Sequence, residues 1–274
     1  MLIGILAVLS VLAAVGITAV GGWLWWLLPV GFLGSFLALA LLAFLFLWAM
    51  CARVDLNTPP VDSPFYRRLL RIYAQAAVTL LQIRYEKTGM EMLPREGRYL
   101  LVCNHLSDAD PVCLHDCFPK SHLAFISKRE NADMFLVGKL MHTTLCQMIN
   151  RENDREALKT ILSCISILKE DRANVAVFPE GYTSVDGLLH PFRSGVFKIA
   201  QKADVPIVVV TLQNTDRVFH NAKRLKPTLV KVHLLGVIPA GELKGVTAVD
   251  IGNRVHKMME EDLGKDKVFW EENT

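Results

Sequence analysis

The sequence has 274 residues, of which 52% are hydrophobic, and a formal net charge of +3 at pH 7. The first 52 residues contain no Asp, Glu, Lys or Arg, so the rest of the chain carries all 30 basic and all 27 acidic side chains. That near balance is far from the clustered positive charge expected of a nucleic-acid-binding protein, so we expect no nucleic-acid partner. The length allows one large domain or two modest ones.

Residues 1–52 form an apolar tract about twice as long as the ~20 residues that one membrane-spanning helix needs. Gly21, Gly22 and Pro29 interrupt it near the middle, so we predict a helical hairpin with helices over about 2–20 and 30–51. A cleaved signal peptide is the alternative. The tract has no basic residues at its start and continues far beyond a ~15-residue apolar region, which favours a permanent membrane anchor.

Arginines follow the second predicted helix at Arg53, Arg67, Arg68 and Arg71. Positive charge flanking a span is typical of its cytoplasmic side. We therefore expect a protein of the cell membrane with everything after the hairpin in the cytoplasm. A hairpin that enters the bilayer and returns without crossing it gives the same sidedness.

An amphipathic helix is predicted over 63–84, with Ser63 as its N-cap and Pro64 in its first turn. Its arginines cluster near one end, among aromatic residues. Two interpretations remain open: a helix that covers the protein core, or an interfacial helix that lies on lipid headgroups.

From residue 85 onward, short apolar runs alternate with helical patterns, which predicts an α/β fold. Because the predicted strands are apolar almost throughout, we expect a mainly parallel or mixed central sheet with helices on both faces. No linker interrupts 53–274, so we predict a single domain after the hairpin. The predicted strands are 98–103, 123–127, 174–179, 205–212 and 230–238, and the predicted helices are 110–117, 131–143, 153–170, 193–202 and 247–262.

Six cysteines lie mostly within apolar segments and lack the paired CxxC spacing of a zinc module. We expect buried thiols in a reducing compartment. Cys113, His115 and Cys117 alternate along the chain without a second ligand pair downstream, so we predict no metal site there.

A polar cluster follows the apolar run that ends at Cys103, in the sequence NHLSDADP. His105 and Asp110 can meet only if a turn separates them, and Ser107 and Asp108 are suitable turn residues. A carboxylate that orients a histidine ring is the usual arrangement of a general base. The structural alternative is a helix-capping carboxylate and a histidine bonded to backbone, and the spacing alone favours this alternative.

A second polar segment, PEGYTS, follows the strand predicted to end at Pro179. Glu180 then stands at a strand end, where open α/β sheets place their ligand sites. Between the two segments comes Arg151, a side chain suited to bidentate phosphate binding. Taken singly, each has an ordinary structural explanation: Glu180 could bond loop amides, and Arg151 could be a solvated charge.

Together these segments resemble the four motifs of the glycerolipid acyltransferase family, most closely its bacterial 1-acylglycerol-3-phosphate acyltransferases. The motifs are Asn104-His105 with Asp110, the Arg151 region, Phe178-Pro179-Glu180-Gly181, and Val205-Pro206-Ile207. The resemblance covers about residues 85–238. It implies transfer of a fatty acyl group from acyl-CoA or acyl-carrier protein to the free hydroxyl of lysophosphatidate at a membrane, with no cofactor and no metal.

The resemblance also implies a role for each matching residue. His105 would be the general base, and Asp110 would orient it. The substrate-binding residues would be Lys128 and Arg151 near the acceptor phosphate, Glu180 and Gly181 shaping the acceptor site, and Pro206 closing the pocket beneath it.

The third motif departs from the family pattern. It commonly reads FPEGTRS, whereas this chain has Tyr182 and Thr183 at the Thr and Arg positions. Either Lys128, Arg151 and Arg193 suffice to bind an anionic acceptor, or the acceptor is another lysolipid.

Two other functions are compatible with these residues. An enzyme could instead form an acyl intermediate on Cys103 or Ser107 beside His105. Alternatively, the chain could be a membrane-anchored lipid-binding protein without catalysis.

Overall fold

The computed structural model describes residues 1–21, 28–150 and 153–264. Two N-terminal helices, α1 (Leu2–Gly21) and α2 (Leu28–Ala52), are long and apolar enough to span a membrane. Only 17% and 6% of their apolar stretches are buried, so they are not core helices. The predicted turn between them, with Trp23, Trp25 and Trp26, lies outside the described residues.

The two helices pack side by side and antiparallel. The Ser35 hydroxyl donates to the Ser10 carbonyl at 3.3 Å, and a Cβ built on Gly31 would lie 3.6 Å from Ala14. Continuing this register puts Leu2 level with residue 43. The last turns of α2 therefore extend beyond the start of α1.

Helix α3 (Pro64–Leu80) runs back along those last turns of α2. The Tyr66 hydroxyl donates to the Met50 carbonyl at 2.8 Å, and the Tyr73 hydroxyl donates to the Ala43 carbonyl at 2.5 Å. Its N-terminus is capped by the Ser63 hydroxyl, as predicted. The helix ends four residues before the predicted boundary, because a strand begins at Ile83.

Within the described ranges, seven strands form one sheet in the order β1-β7-β6-β2-β5-β3-β4. The middle strand β2 is parallel to both of its neighbours, β5 and β6, and only the β6–β7 pair is antiparallel. The sheet is therefore mixed, as expected. The strands are β1 (Ile83–Thr88), β2 (Leu100–Cys103), β3 (Leu123–Lys128), β4 (Gln147–Ile149), β5 (Asn174–Val177), β6 (Ile207–Gln213) and β7 (Thr228–Ile238).

Helices cover both faces of the sheet, which confirms the α/β prediction. Leu100 and Val102 of β2 face one apolar core, and Leu101 and Cys103 face the other, as the two-residue period of a strand requires. All six cysteines lie in the described part of the chain and are buried. The remaining helices are α4 (Asp110–Cys117), α5 (Val137–His142), α6 (Asp154–Lys169), α7 (Phe197–Ala203), α8 (Val218–Lys223) and α9 (Ala248–Leu263).

The structure adds elements that the sequence did not predict. β1 and β4 are the two edge strands, and α8 is a helix of fewer than two turns. The helix predicted over 131–143 is broken, because a 3₁₀ turn (Arg129–Asp133) precedes α5 and Leu136 between them has a φ of +61°.

The sheet topology positions the polar segments of the chain. β2 and β5 are adjacent and parallel, with Val102 opposite Val177. Both strands therefore end at the same edge of the sheet. The segments beginning at Asn104 and Phe178 leave that edge side by side, and the carboxyl ends of the strands are where α/β sheets place their ligand sites.

Candidate active site

The His105 ring is held by a buried carboxylate. Its Nδ1 lies 2.8 Å from Asp110 Oδ2, and that oxygen also accepts the backbone N–H groups of Leu106 and Ser107 at 2.7 and 2.9 Å. Asp110 is fully buried in the first turn of α4. A carboxylate oxygen only accepts hydrogen bonds, so Nδ1 carries the proton in the neutral ring and Nε2 keeps its lone pair.

The turn predicted between these two residues is present. The Asp110 N–H donates to the Ser107 carbonyl at 3.0 Å, and the Ala109 N–H donates to the Ser107 hydroxyl at 3.2 Å. Asp110 is the first residue of α4 and not its cap. Its carboxylate folds back on the turn that carries His105.

The ring of His105 is enclosed on its other sides. The Phe178 ring stacks on it with centroids 4.2 Å apart and planes 14° apart. Thr183 Oγ1 lies 3.0 Å from Nε2, and the Ser184 N–H donates to the His105 carbonyl at 2.8 Å. Thr183 was not predicted from the sequence as a neighbour of the ring; its place in the motif was the available signal.

Glu180 connects three segments of backbone. Its Oε1 accepts the His105 N–H at 2.9 Å, and its Oε2 accepts the His190 N–H at 3.0 Å. The side chain is 1% exposed, and this burial raises the pKa of Glu180 even though both N–H groups oppose the shift. These contacts are structural, and they fix the main chain of the segment that carries His105.

The loop after Glu180 is folded on a second carboxylate. Asp186 Oδ1 accepts hydrogen bonds from the Leu188 N–H at 3.0 Å and from the Ser184 hydroxyl at 2.9 Å. The same oxygen lies 2.9 Å from His190 Nε2. The bond from the Leu188 amide leads the groups that lower the pKa of Asp186 to about 2. The loop is thereby held against the strand ends.

Asn104 ties the site to β6. Its side-chain amide donates to the Leu212 carbonyl at 2.9 Å and accepts the Leu212 N–H at 2.8 Å. The side chain thus imitates a strand partner just beyond the end of β2. This pair of hydrogen bonds fixes the residue that precedes His105.

Gly181 turns the chain with a φ of +83°, a conformation that favours glycine. Its N–H donates to the Phe178 carbonyl at 3.1 Å. A Cβ at this position would lie 2.8 Å from Arg193 Nε, so the Arg193 side chain rests directly on the glycine. Arg193 is therefore close to the site, where a side chain that helps to bind an anionic acceptor would have to lie.

The other predicted substrate-binding residues are placed differently. Lys128 is exposed at the end of β3, at the same edge of the sheet as His105 but two strands away. Pro206 is not brought to the site, because its carbonyl accepts the Leu100 N–H at 3.0 Å at the opposite end of β2. Arg151 lies outside the described residues.

Neither proposed nucleophile faces the histidine ring. Cys103 is fully buried in the core, and this burial raises the pKa of its thiol well above the usual range. The Ser107 hydroxyl is buried and accepts the Ala109 N–H. The geometry therefore disfavours an acyl intermediate on either residue.

A cavity of about 190 Å³ adjoins this edge of the sheet. Asn104, Leu106 and Glu180 form one wall, and Arg217 and His256 contribute to the others. The lining mixes apolar and polar groups, as ligand pockets do.

Comparison with known proteins identifies the family. A sequence model of the family described as "Acyltransferase" matches residues 84–213, which include the segments around His105 and Glu180. The chain belongs to this acyltransferase family.

The chain is also similar to individual curated proteins. A probable 1-acyl-sn-glycerol-3-phosphate acyltransferase of Mycoplasma pneumoniae is 30% identical over 178 residues, which are 63% of this chain and 66% of that protein. A 1-acyl-sn-glycerol-3-phosphate acyltransferase of Chlamydomonas reinhardtii is 32% identical over 181 residues, 64% of this chain and 54% of that protein. The matches thus span between about half and two thirds of these relatives.

Among solved structures, the chain resembles the 1-acyl-sn-glycerophosphate acyltransferase PlsC of Thermotoga maritima, with a TM-score of 0.61. The alignment covers 75% of this chain and 81% of that chain at 20% identity. This likeness establishes a shared fold.

We predict that Glu180→Gln lowers the free energy of unfolding by about 1–3 kcal/mol, the cost of leaving a buried donor unpaired. A glutamine has one carbonyl oxygen, so the amide of either His105 or His190 would face an NH₂ group. Urea unfolding of the detergent-solubilised protein measures the change. The exposed Glu86→Gln is the matched control, and wild-type stability in Glu180→Gln would contradict the linking role.

Proposed function

We propose that this protein is an acyltransferase that moves a fatty acyl group from acyl-CoA or acyl-carrier protein to the free hydroxyl of lysophosphatidate, forming phosphatidate. The observation that carries the proposal is the His105–Asp110 pair at the strand ends. Nε2 of His105 is directed at the hydroxyl of Thr183 and so can bond a hydroxyl group. The family match and the names of the relatives support the reaction class and the acceptor.

In the proposed mechanism His105 acts as the general base. Nε2 takes the proton of the acceptor hydroxyl as its oxygen attacks the thioester carbonyl carbon, and the Asp110 carboxylate stabilises the imidazolium that forms. The carbon–sulfur bond then breaks, and the departing sulfur receives the proton from Nε2. The products are an ester and a free thiol.

This chemistry calls for positioning more than for further activation. A thioester is already reactive, so the proposal includes no metal and no cofactor. The bonds from Glu180 and Asn104 hold the backbone at His105 and at the residue before it, which keeps the base in place for both substrates.

The acceptor phosphate is assigned to basic side chains. Lys128 and Arg151 are proposed to bind it, and Arg193 adds a guanidinium against Gly181. Because Thr183 stands where the family commonly has arginine, other lysolipids remain the alternative acceptors.

The two apolar helices are proposed to anchor the enzyme in the cell membrane, with the sheet domain on the cytoplasmic side. A lysophospholipid stays in the bilayer, so an anchored site can reach it without extracting it. Exposed Phe65 and Arg68 on α3 are available to headgroups, whereas Arg67 pairs with Asp62 at 2.9 Å.

We predict that His105→Ala lowers acyl transfer by at least ~10²-fold, since general-base catalysis contributes about 10²- to 10⁴-fold. Asp110→Asn should also be strongly impaired, because the ring loses the group that sets its tautomer and stabilises its charge. The assay uses purified full-length protein in detergent with labelled acyl-CoA and a panel of lysolipids. The exposed His220→Ala serves as the control, and full turnover by His105→Ala would rule the mechanism out.

We predict that Lys128→Ala and Arg151→Ala each raise the KM for lysophosphatidate about threefold to tenfold, as expected for loss of a charge-assisted contact near solvent. The KM for the acyl donor should change little. Steady-state kinetics with each substrate varied in turn provides the test, with the exposed Lys120→Ala as the control. Equal effects on donor and acceptor would argue against a phosphate site at these residues.

A further inference from the structure

Thr183 occupies a position that the proposed acceptor must take. Its Oγ1 lies 3.0 Å from Nε2 of His105, the atom proposed to receive the acceptor's proton. Nδ1 is bonded to Asp110, and Phe178 covers one face of the ring. Both nitrogens of the ring therefore have protein partners in the described structure.

The direction of the Thr183 contact follows from the tautomer. With the proton on Nδ1, Nε2 can only accept, so the Thr183 hydroxyl donates to it. For hydrolysis, His105 could activate a water molecule only if that water donated a hydrogen bond to the same Nε2 lone pair. The threonine hydroxyl and water thus compete for one site.

We propose that Thr183 is a positioning residue that keeps water from Nε2 until the acceptor hydroxyl displaces it, and so favours acyl transfer over hydrolysis of the acyl donor. This inference rests on the proposed function of His105. In the suppressed reaction, water gives a proton to Nε2 and its oxygen attacks the thioester. The carbon–sulfur bond breaks, and a fatty acid and a protonated thiol are released.

The test measures thiol release from acyl-CoA by the full-length protein in detergent without any lysolipid. Thr183→Ala should raise this hydrolysis about threefold to tenfold relative to wild type, the range expected when one competing hydrogen bond is lost. Thr183→Ser keeps the hydroxyl and should keep hydrolysis low. Val185→Ala, at a side chain that is 97% exposed in the same loop, is the control.

The outcomes separate this inference from the proposed function. An unchanged ratio of hydrolysis to transfer in Thr183→Ala would overturn the role of Thr183 while leaving the transferase intact. Loss of both reactions in Thr183→Ala but not in Thr183→Ser would overturn it in favour of an acyl-threonine intermediate. If wild-type protein acylates no lysolipid, the proposed function itself fails.

A separate observation concerns an exposed apolar segment before α5, which we call the 134–137 loop. Met134, Phe135 and Val137 are 47%, 67% and 43% exposed. The segment follows β3 within a few residues, so it lies at the same edge of the sheet as His105. Adjacent exposed apolar side chains of this size are uncommon on a surface that faces only water.

The position of the loop relative to the apolar helices indicates its partner. The ring centroid of Phe135 lies 6.5 Å from the ring centroid of Phe44 in α2. Phe44 is level with the start of α1, since Leu2 lies opposite residue 43 in the helix register. The loop therefore continues the lipid-exposed surface of the hairpin at the level where its first helix begins.

We infer that the 134–137 loop inserts into the lipid surface beside the hairpin and sets the active-site edge of the sheet against the bilayer. This rests on the proposed membrane placement of α1 and α2. Phe135→Cys can be labelled selectively with an environment-sensitive fluorophore, because the six native cysteines are buried.

The labelled full-length protein is reconstituted into phosphatidylcholine vesicles that contain lipids with a quencher on the acyl chain. Fluorescence at Phe135→Cys should be blue-shifted and quenched, as at Leu37→Cys within α2, whereas Lys169→Cys at the far edge of the sheet should be neither. Quenching at Leu37→Cys but not at Phe135→Cys would overturn the loop's role. Absence of quenching at Leu37→Cys would overturn the membrane placement itself.

Discussion

The site depends on the parallel pairing of β2 with β5. Because both strands end at the same edge, the backbone of His105 comes within reach of a carboxylate 75 residues later in the chain. Glu180 converts this adjacency into a fixed geometry through two backbone N–H groups. Its raised pKa shows that burying the charge is unfavourable, and the two bonds are the compensating interactions.

The surroundings of the histidine ring combine rigid and exchangeable contacts. Asp110 is buried and accepts hydrogen bonds from three donors. The Nδ1 side of the ring therefore cannot move without breaking hydrogen bonds to a buried carboxylate. Thr183 is half-buried and contributes one contact that a side-chain rotation can break. The proposed chemistry fits this asymmetry, since a base needs a fixed orientation on one nitrogen and an exchangeable partner on the other.

Much of the fold and part of the site could be predicted from the sequence. The central strands were visible because they are apolar on both faces, whereas β4, an edge strand of three residues, has too little pattern to detect. Turn residues between His105 and Asp110 made their contact possible, but the spacing alone favoured a capping carboxylate, and only the structure separates the two. Glu180's partners are backbone groups from distant loops, which no local pattern encodes. Pro206 precedes its strand, so the parallel pairing of β6 with β2 places it at the far edge.

The packing of α3 along α2 makes the hairpin more than a detachable anchor. Leu47 and Cys51 of α2 form a small buried cluster with Leu69 of α3 and Leu140 of α5. A shortened protein that starts at Arg53 would expose this cluster to water, together with the hydroxyls of two tyrosines that now bond helix carbonyls. Solubility cannot be gained by trimming the apolar end alone; the newly bared surface on α3 and α5 would first have to be redesigned.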